Sequence, residues 1–156
     1  MESKALRQAL EEKTNGRFGT VRDWLRSHPL DPQRLTQTLA SVAERARDGE
    51  IFMVTVRDFL DEYSLRDQPQ RAAAIVDDPA STGVARQDAF LGALAEHLAL
   101  KEGNAVPPWA TRNGRFLERF WFISDVPGFR AIAIAASPAA FRRRGIFVHP
   151  SALERV

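Results

Sequence analysis

Apolar residues in this chain recur at i, i+3, i+4 and i+7 between short breaks of Gly, Pro, Asn and Asp. That spacing commits the chain to helices, because it lines one face of a 3.6-residue turn and fits no strand. Leu6 and Leu10 place a helix over Ser3 to Lys13, ended by Asn15-Gly16. Val21, Trp24, Leu25 and His28 carry the same pattern from Thr20 until Pro29 stops it. Asp31 then reads as an N-cap with Pro32 at the first helical position, opening a helix to Arg47 with Leu35, Leu39, Val42 and Ala46 inward. An extended piece, Ile51 to Val54, leads to a helix starting at Thr55 with Val56, Phe59, Leu60 and Tyr63 on its buried face.

The second half repeats the logic. Gln70 to Val76 is a short helix, the loop DDPASTG at 77–83 is the best internal boundary, and Val84 to Leu100 is a long helix with Phe90, Leu91, Leu94 and Leu98 inward. A helix is expected from Arg115 to Phe122. Phe129 to Ala136 reads as helix on its alanines, although Arg130, Ile132 and Ile134 alternate as in a strand. Ser137 is placed as an N-cap with Pro138 behind it, for a helix ending at Gly145. Ile146 to Val148 is extended, and Ser151 with Glu154 suggests a capping box. The expected fold class is all-α, with short extended segments near 51–54 and 146–148. It forms a single helical domain over 1–156 or, if divided, a bundle over 1–78 and a C-terminal helical part over 84–156. Trp24, Leu39, Phe59, Leu94 and Trp121 are the expected core.

Length supports that reading. A chain of 156 residues buries roughly 70% of its unfolded surface and needs no disulfide or metal to fold. It has no cysteine, which removes thiol chemistry and thiolate metal sites and fits a reducing cytoplasm. The N-terminus MESKALRQALEEK lacks the apolar core of a signal peptide, and no run approaches the roughly 18 apolar residues of a membrane span. His28, His97 and His149 are scattered, without HExxH spacing, so no metal site is expected. No GxSxG, GxxxxGK or GxGxxG occurs, so no catalytic residue and no cofactor is assigned, and the chain reads as a binder rather than an enzyme.

TVRDWL at 20–25 and TVRDFL at 55–60 look like copies, by a distant duplication or by coincidental reuse of a Thr cap and an amphipathic face. Position 90 onward reads FLGALAEHLAL, so no third copy extends them into a solenoid.

Charge is unevenly placed. Residues 1–80 hold 12 Lys or Arg against 14 Asp or Glu, whereas residues 81–156 hold 10 against 6. The aromatic run Phe116, Phe120, Trp121, Phe122 and Phe129 is interleaved with Arg115, Arg119 and Arg130. Such a mixture builds either a core or a base-stacking surface for nucleic acid. The run Arg142, Arg143, Arg144 exceeds what complementing a helix dipole requires. With Phe141 inward, Arg143 is expected outward and the other two beside it. These three and Arg130 are therefore the expected partner-binding residues.

Three pieces carry a resemblance: TVRDFLDEY (55–63), DAFLGALAEHLAL (88–100), and RFLERFWF with SPAAFRRRGIFV (115–148). Over residues 50–156 the chain resembles small, mostly actinobacterial proteins encoded beside nucleotidyltransferase-like toxin genes and described as hypothetical proteins or candidate antitoxins. The resemblance implies a cytoplasmic protein that neutralises a co-encoded toxin by direct binding, in an oligomeric state left open. The alternative is a DNA-binding transcriptional regulator.

Overall fold

The computed structural model describes residues 37–154. They form a mainly helical fold with one two-stranded sheet. Contacts divide the chain between Thr36 and Gln37, and the 77–83 loop lies inside the second unit. The expected helices over Ser3–Lys13 and from Thr20, together with Trp24 and His28, lie outside the described residues.

Helix α1 spans Leu39–Arg47. Of the helix expected from Asp31 to Arg47, the part before Gln37 lies outside the described residues, and the described part starts only at Leu39. Thr38 is extended, its hydroxyl accepts from the Ser41 amide at 3.1 Å, and the Ser41 hydroxyl accepts from the Thr38 amide at 2.9 Å. This reciprocal box resets the helix start inside what reads as one apolar stripe. Gly49, at φ 98°, ends it. Helix α2, Phe52–Leu65, begins at once, so the expected extended piece at 51–54 is absent. Its buried stripe is Phe52, Val56, Phe59, Leu60 and Tyr63, and Phe52 adds a turn before Thr55. Thr55 is buried within the helix, its hydroxyl donating to the Phe52 carbonyl at 2.7 Å, and caps nothing. The expected helix start at Thr55 is therefore corrected to Phe52 in this copy, and the copy at 20–25 lies outside the described residues.

Helix α3, Gln68–Val76, is capped by Asp67 and Gln70 in a second reciprocal box. Helix α4, Ala85–Lys101, is the centre of the fold. Ten of its residues, from Ala89 to Ala99, are buried, which is how a helix clad on several sides differs from a one-faced surface helix. Phe90 sits among three rings: Phe52 at 5.4 Å, Phe141 at 5.1 Å and Trp121 at 6.3 Å between centroids. Leu39, Phe59 and Leu94 are fully buried, as expected, while Trp121 is only half-buried at the edge of this cluster. Gly92 lets the following chain close on α4. A Cβ there would stand 2.8 Å from the Arg115 Cβ and 3.0 Å from the Ala110 carbonyl oxygen.

That following chain makes two 3₁₀ turns, Pro108–Thr111 and Asn113–Arg115. The Trp109 indole N–H donates to the carbonyls of Ile75 and Val76, both at 3.1 Å, and so covers the open C-terminal end of α3. Here the sequence reading is corrected: no helix runs from Arg115 to Phe122. Strand β1, Trp121–Phe122, instead pairs in parallel with β2, Ile146–Phe147. The bulky aromatics of this segment fit a pleated, half-buried surface better than a helix.

Helix α5, Arg130–Ala136, forms as expected. Ser137 does not cap the next helix. Its hydroxyl accepts from the Val148 amide at 2.8 Å and lies 2.5 Å from the Ala133 carbonyl, tying the end of α5 to the chain after β2. Helix α6, Ala139–Arg142, starts after Pro138 and is a single turn. The expected Ser151–Glu154 box is replaced by a 3₁₀ turn, Pro150–Ala152, in which His149 Nδ1 accepts from the Ser151 amide at 3.2 Å.

The Phe90 cluster joins α2, α4, α6 and β1, so Phe90→Ala should cost about 3–5 kcal/mol as a core truncation. A urea midpoint unchanged from the parent would show that these rings do not hold the elements together.

Candidate protein-interaction surface

The three consecutive arginines end in three different environments. Helix α6 stops at Arg142 and Gly145 adopts φ 75°, so a helical wheel drawn through Arg144 does not apply. Arg142 is exposed, and none of the described carboxylates pairs with it. Arg143 is half-exposed and bonds Glu96 Oε2, at 3.1 Å from Nε and 2.8 Å from a terminal nitrogen. Arg144 is 0% exposed. Its guanidinium donates to Glu96 Oε2 at 2.5 Å, to the Ala140 carbonyl at 2.7 Å and to the Ala110 carbonyl at 2.7 Å. The Phe116 ring lies against both cations, 5.3 Å from the Arg143 guanidinium carbon and 4.6 Å from that of Arg144. Arg144 is therefore corrected from a candidate contact residue to an internal strut.

Burial pushes the Arg144 guanidinium down from its ordinary range, with the Glu96 hydrogen bond and charge acting against that. The group stays charged, because arginine does not deprotonate in proteins. Glu96 is the residue that sequence reasoning missed. In AEHLAL it reads as a solvated helix position, and its cations lie 47 and 48 residues away.

Arg115 is drawn inward in the same way. It bonds Asp78 at 3.0 Å and the Pro79 carbonyl at 2.6 Å, and stacks on Trp109 at 4.9 Å. Arg112 also pairs with Asp78. Of the basic groups in the second half, Arg86, Lys101, Arg119, Arg130 and Arg142 remain exposed without a carboxylate partner among the described residues.

What the arginine run does not supply as an open face, the neighbouring segment does. Phe120 is 74% exposed, and Val126, Phe129, Ile132 and Ile134 are each about half-exposed. Helix α5, RAIAIAA, buries only Ala133. A short apolar helix that leaves both isoleucines in water is the kind of surface that marks an interaction site. Beside it runs a groove of about 180 Å³ lined by Phe122, Phe129, Ile132, Ala133, Phe147 and Val148, with Ser124 and His149 as its polar members. Phe122 and Phe147 stack at 4.8 Å and 21°, and Phe120 meets Phe147 edge-on at 5.4 Å. The Arg130 guanidinium lies 5.3 Å from the centre of the Phe122 ring, at the groove wall. The aromatic–arginine run was thus half legible: Phe116 and Trp121 pack inward, whereas Phe120, Phe129 and Arg130 face out.

Among the described residues, no group of three metal-binding side chains is placed to hold an ion, and no helix is long and apolar enough to cross a membrane. No protein-family model matches the chain, and no curated protein or solved structure matches it either.

Arg144→Ala should destabilise the protein by about 3–5 kcal/mol, because it breaks a buried ion pair. Arg142→Ala should stay within about 0.5 kcal/mol, as an exposed change. Equal denaturation midpoints for the two variants would contradict the different roles assigned to neighbours in one run.

His97, on α4 beside Phe141, is pushed below its ordinary range by burial first and by the charge of Lys101 second, with Glu154 opposing. The unfolded chain therefore binds a proton here that the folded chain resists. Stability from this group is complete above about pH 6.5 and falls as pH drops through that value. His97→Gln should flatten the decline in urea midpoint between pH 7.5 and 5.5 relative to the parent. An identical decline in both proteins would assign it to other groups.

Proposed function

We propose that this chain is a protein-binding module, and that it neutralises a co-encoded nucleotidyltransferase-like toxin by direct contact. The observation that carries the binding reading is the exposed apolar surface of Phe120, Phe129 and Ile132 beside a groove walled by Phe122 and Phe147. Burying such side chains against a partner removes apolar area from water at roughly 25 cal/mol per Å². The groove is walled almost wholly by carbon, so the chemistry it offers is burial, which suits recognition better than bond making. The toxin as partner comes from the resemblance of residues 50–156 to antitoxin-like proteins.

Of the arginines first expected to meet the partner, Arg130 and Arg142 keep that role in this reading. Arg143 and Arg144 act on it indirectly, by holding α6 and β2 in place. The DNA-binding alternative draws less support than it did from the sequence, because Arg144 is buried and Arg115 and Arg143 are already paired with carboxylates. Phosphate recognition needs several free cations along one track.

The test is titration of the co-encoded protein into the parent chain and into Ile132→Glu. The variant should bind at least tenfold more weakly, about 1.4 kcal/mol, with an unchanged far-UV spectrum. Co-expression of the variant should then fail to relieve growth arrest by the partner. Parent-like affinity of Ile132→Glu would remove this face from the interaction, and a salt-sensitive shift of duplex DNA without protein binding would favour the regulator instead.

A further inference from the structure

Resting on the protein-binding reading, we infer that the groove between β1, β2 and α5 receives one large apolar side chain from an acidic segment of the partner, with Arg130 meeting the adjacent carboxylate. The size of the groove decides the first half. At about 180 Å³ it lies below the roughly 300–1,000 Å³ of sites that enclose a small-molecule ligand. It is too small for a helix and suits a single anchoring side chain, which is how a few buried aromatic or aliphatic residues come to dominate an interface. Its walls are firm: Phe122 and Phe147 are stacked, and the Val148 amide N–H is held by its hydrogen bond to the Ser137 hydroxyl. A preformed slot loses little freedom when filled.

Charge decides the second half. No carboxylate lines the groove, and Arg130 is exposed at its wall without an ion pair among the described residues. Its guanidinium is already laid over Phe122, so a planar, two-pronged donor waits beside the apolar slot. An anchor followed by Asp or Glu would fill both at once. A second copy of this chain is the less suitable occupant. Its most exposed aromatic among the described residues, Phe120, is preceded by Arg119, which has no carboxylate partner among them, and inserting it would bring a cation towards Arg130.

Three peptides test this: acetyl-Glu-Asp-Phe-Asp-Glu-amide, its uncharged counterpart acetyl-Gln-Asn-Phe-Asn-Gln-amide, and the acidic peptide with Ala in place of Phe. Binding is read from methyl chemical shifts of Ile132 and Ala133. The acidic Phe peptide should saturate these shifts at a concentration at least fivefold below either of the others. Arg130→Gln should make the acidic and uncharged Phe peptides equal. Equal binding of the acidic and uncharged peptides to the parent chain, or no saturable shift at Ile132 with any peptide, overturns the inference. So does a concentration-dependent shift of the same methyls in peptide-free protein, which assigns the groove to self-association. If the peptides fail while Ile132→Glu still abolishes partner binding, the face is right and the acidic anchor is wrong. If the peptides succeed while Ile132→Glu leaves partner binding intact, the toxin-contact reading falls and the groove stands.

Discussion

One carboxylate organises the second half of this fold. Glu96 lies on the central helix, buried, and a single oxygen accepts from both Arg143 and Arg144. A charge in that position is destabilising unless it is paired and hydrogen-bonded. The pairing therefore fixes where α6 and the chain into β2 must sit. Phe116 closes the cluster from the other side and brings the 3₁₀ turns to the same point. Arg144 extends the fixation by bonding carbonyls at Ala110 and Ala140, on two separate stretches of chain.

The helices around this centre were legible because their signals are local. Helices α3 and α4 fall within two residues of the stretches marked by periodicity and by the DDPASTG loop at 77–83. Helix α5 was legible from its alanines. What escaped reading depended on partners distant in sequence. Thr55 was expected to open a helix, but Phe52 to Val54 before it are already helical, and only Ile51 is extended. Ser137 resembles a cap and is a bridge, since Val148 lies eleven residues on. The stretch from Arg115 to Phe122 has helical spacing, yet it extends because a parallel neighbour exists at 146–147.

The candidate site follows the same division. Which arginines would be free was not readable, because that depends on where Glu96 and Asp78 stand in space. The exposure of α5 was hinted at by its composition: a seven-residue helix with no charge after Arg130 has no polar side to turn outward. Helix α4 carries similar residues and has ten residues buried. Local sequence cannot separate an apolar helix that becomes core from one that stays at the surface, since the difference is set by how many neighbours arrive to cover it.

The distance along the chain between Glu96 and its cations has a consequence for where the domain ends. A chain cut just before Ala139 would keep the central helix and all the residues of α1 to α4. It would also leave a carboxylate facing the interior with no counter-charge, and would uncover the rings of Phe90 and Phe116 where Phe141 and the two arginines had been. The C-terminal segment from Ala139 to Val148 therefore acts as a closing piece whose absence is felt at the centre, and the smallest autonomous version of this unit must extend at least through it.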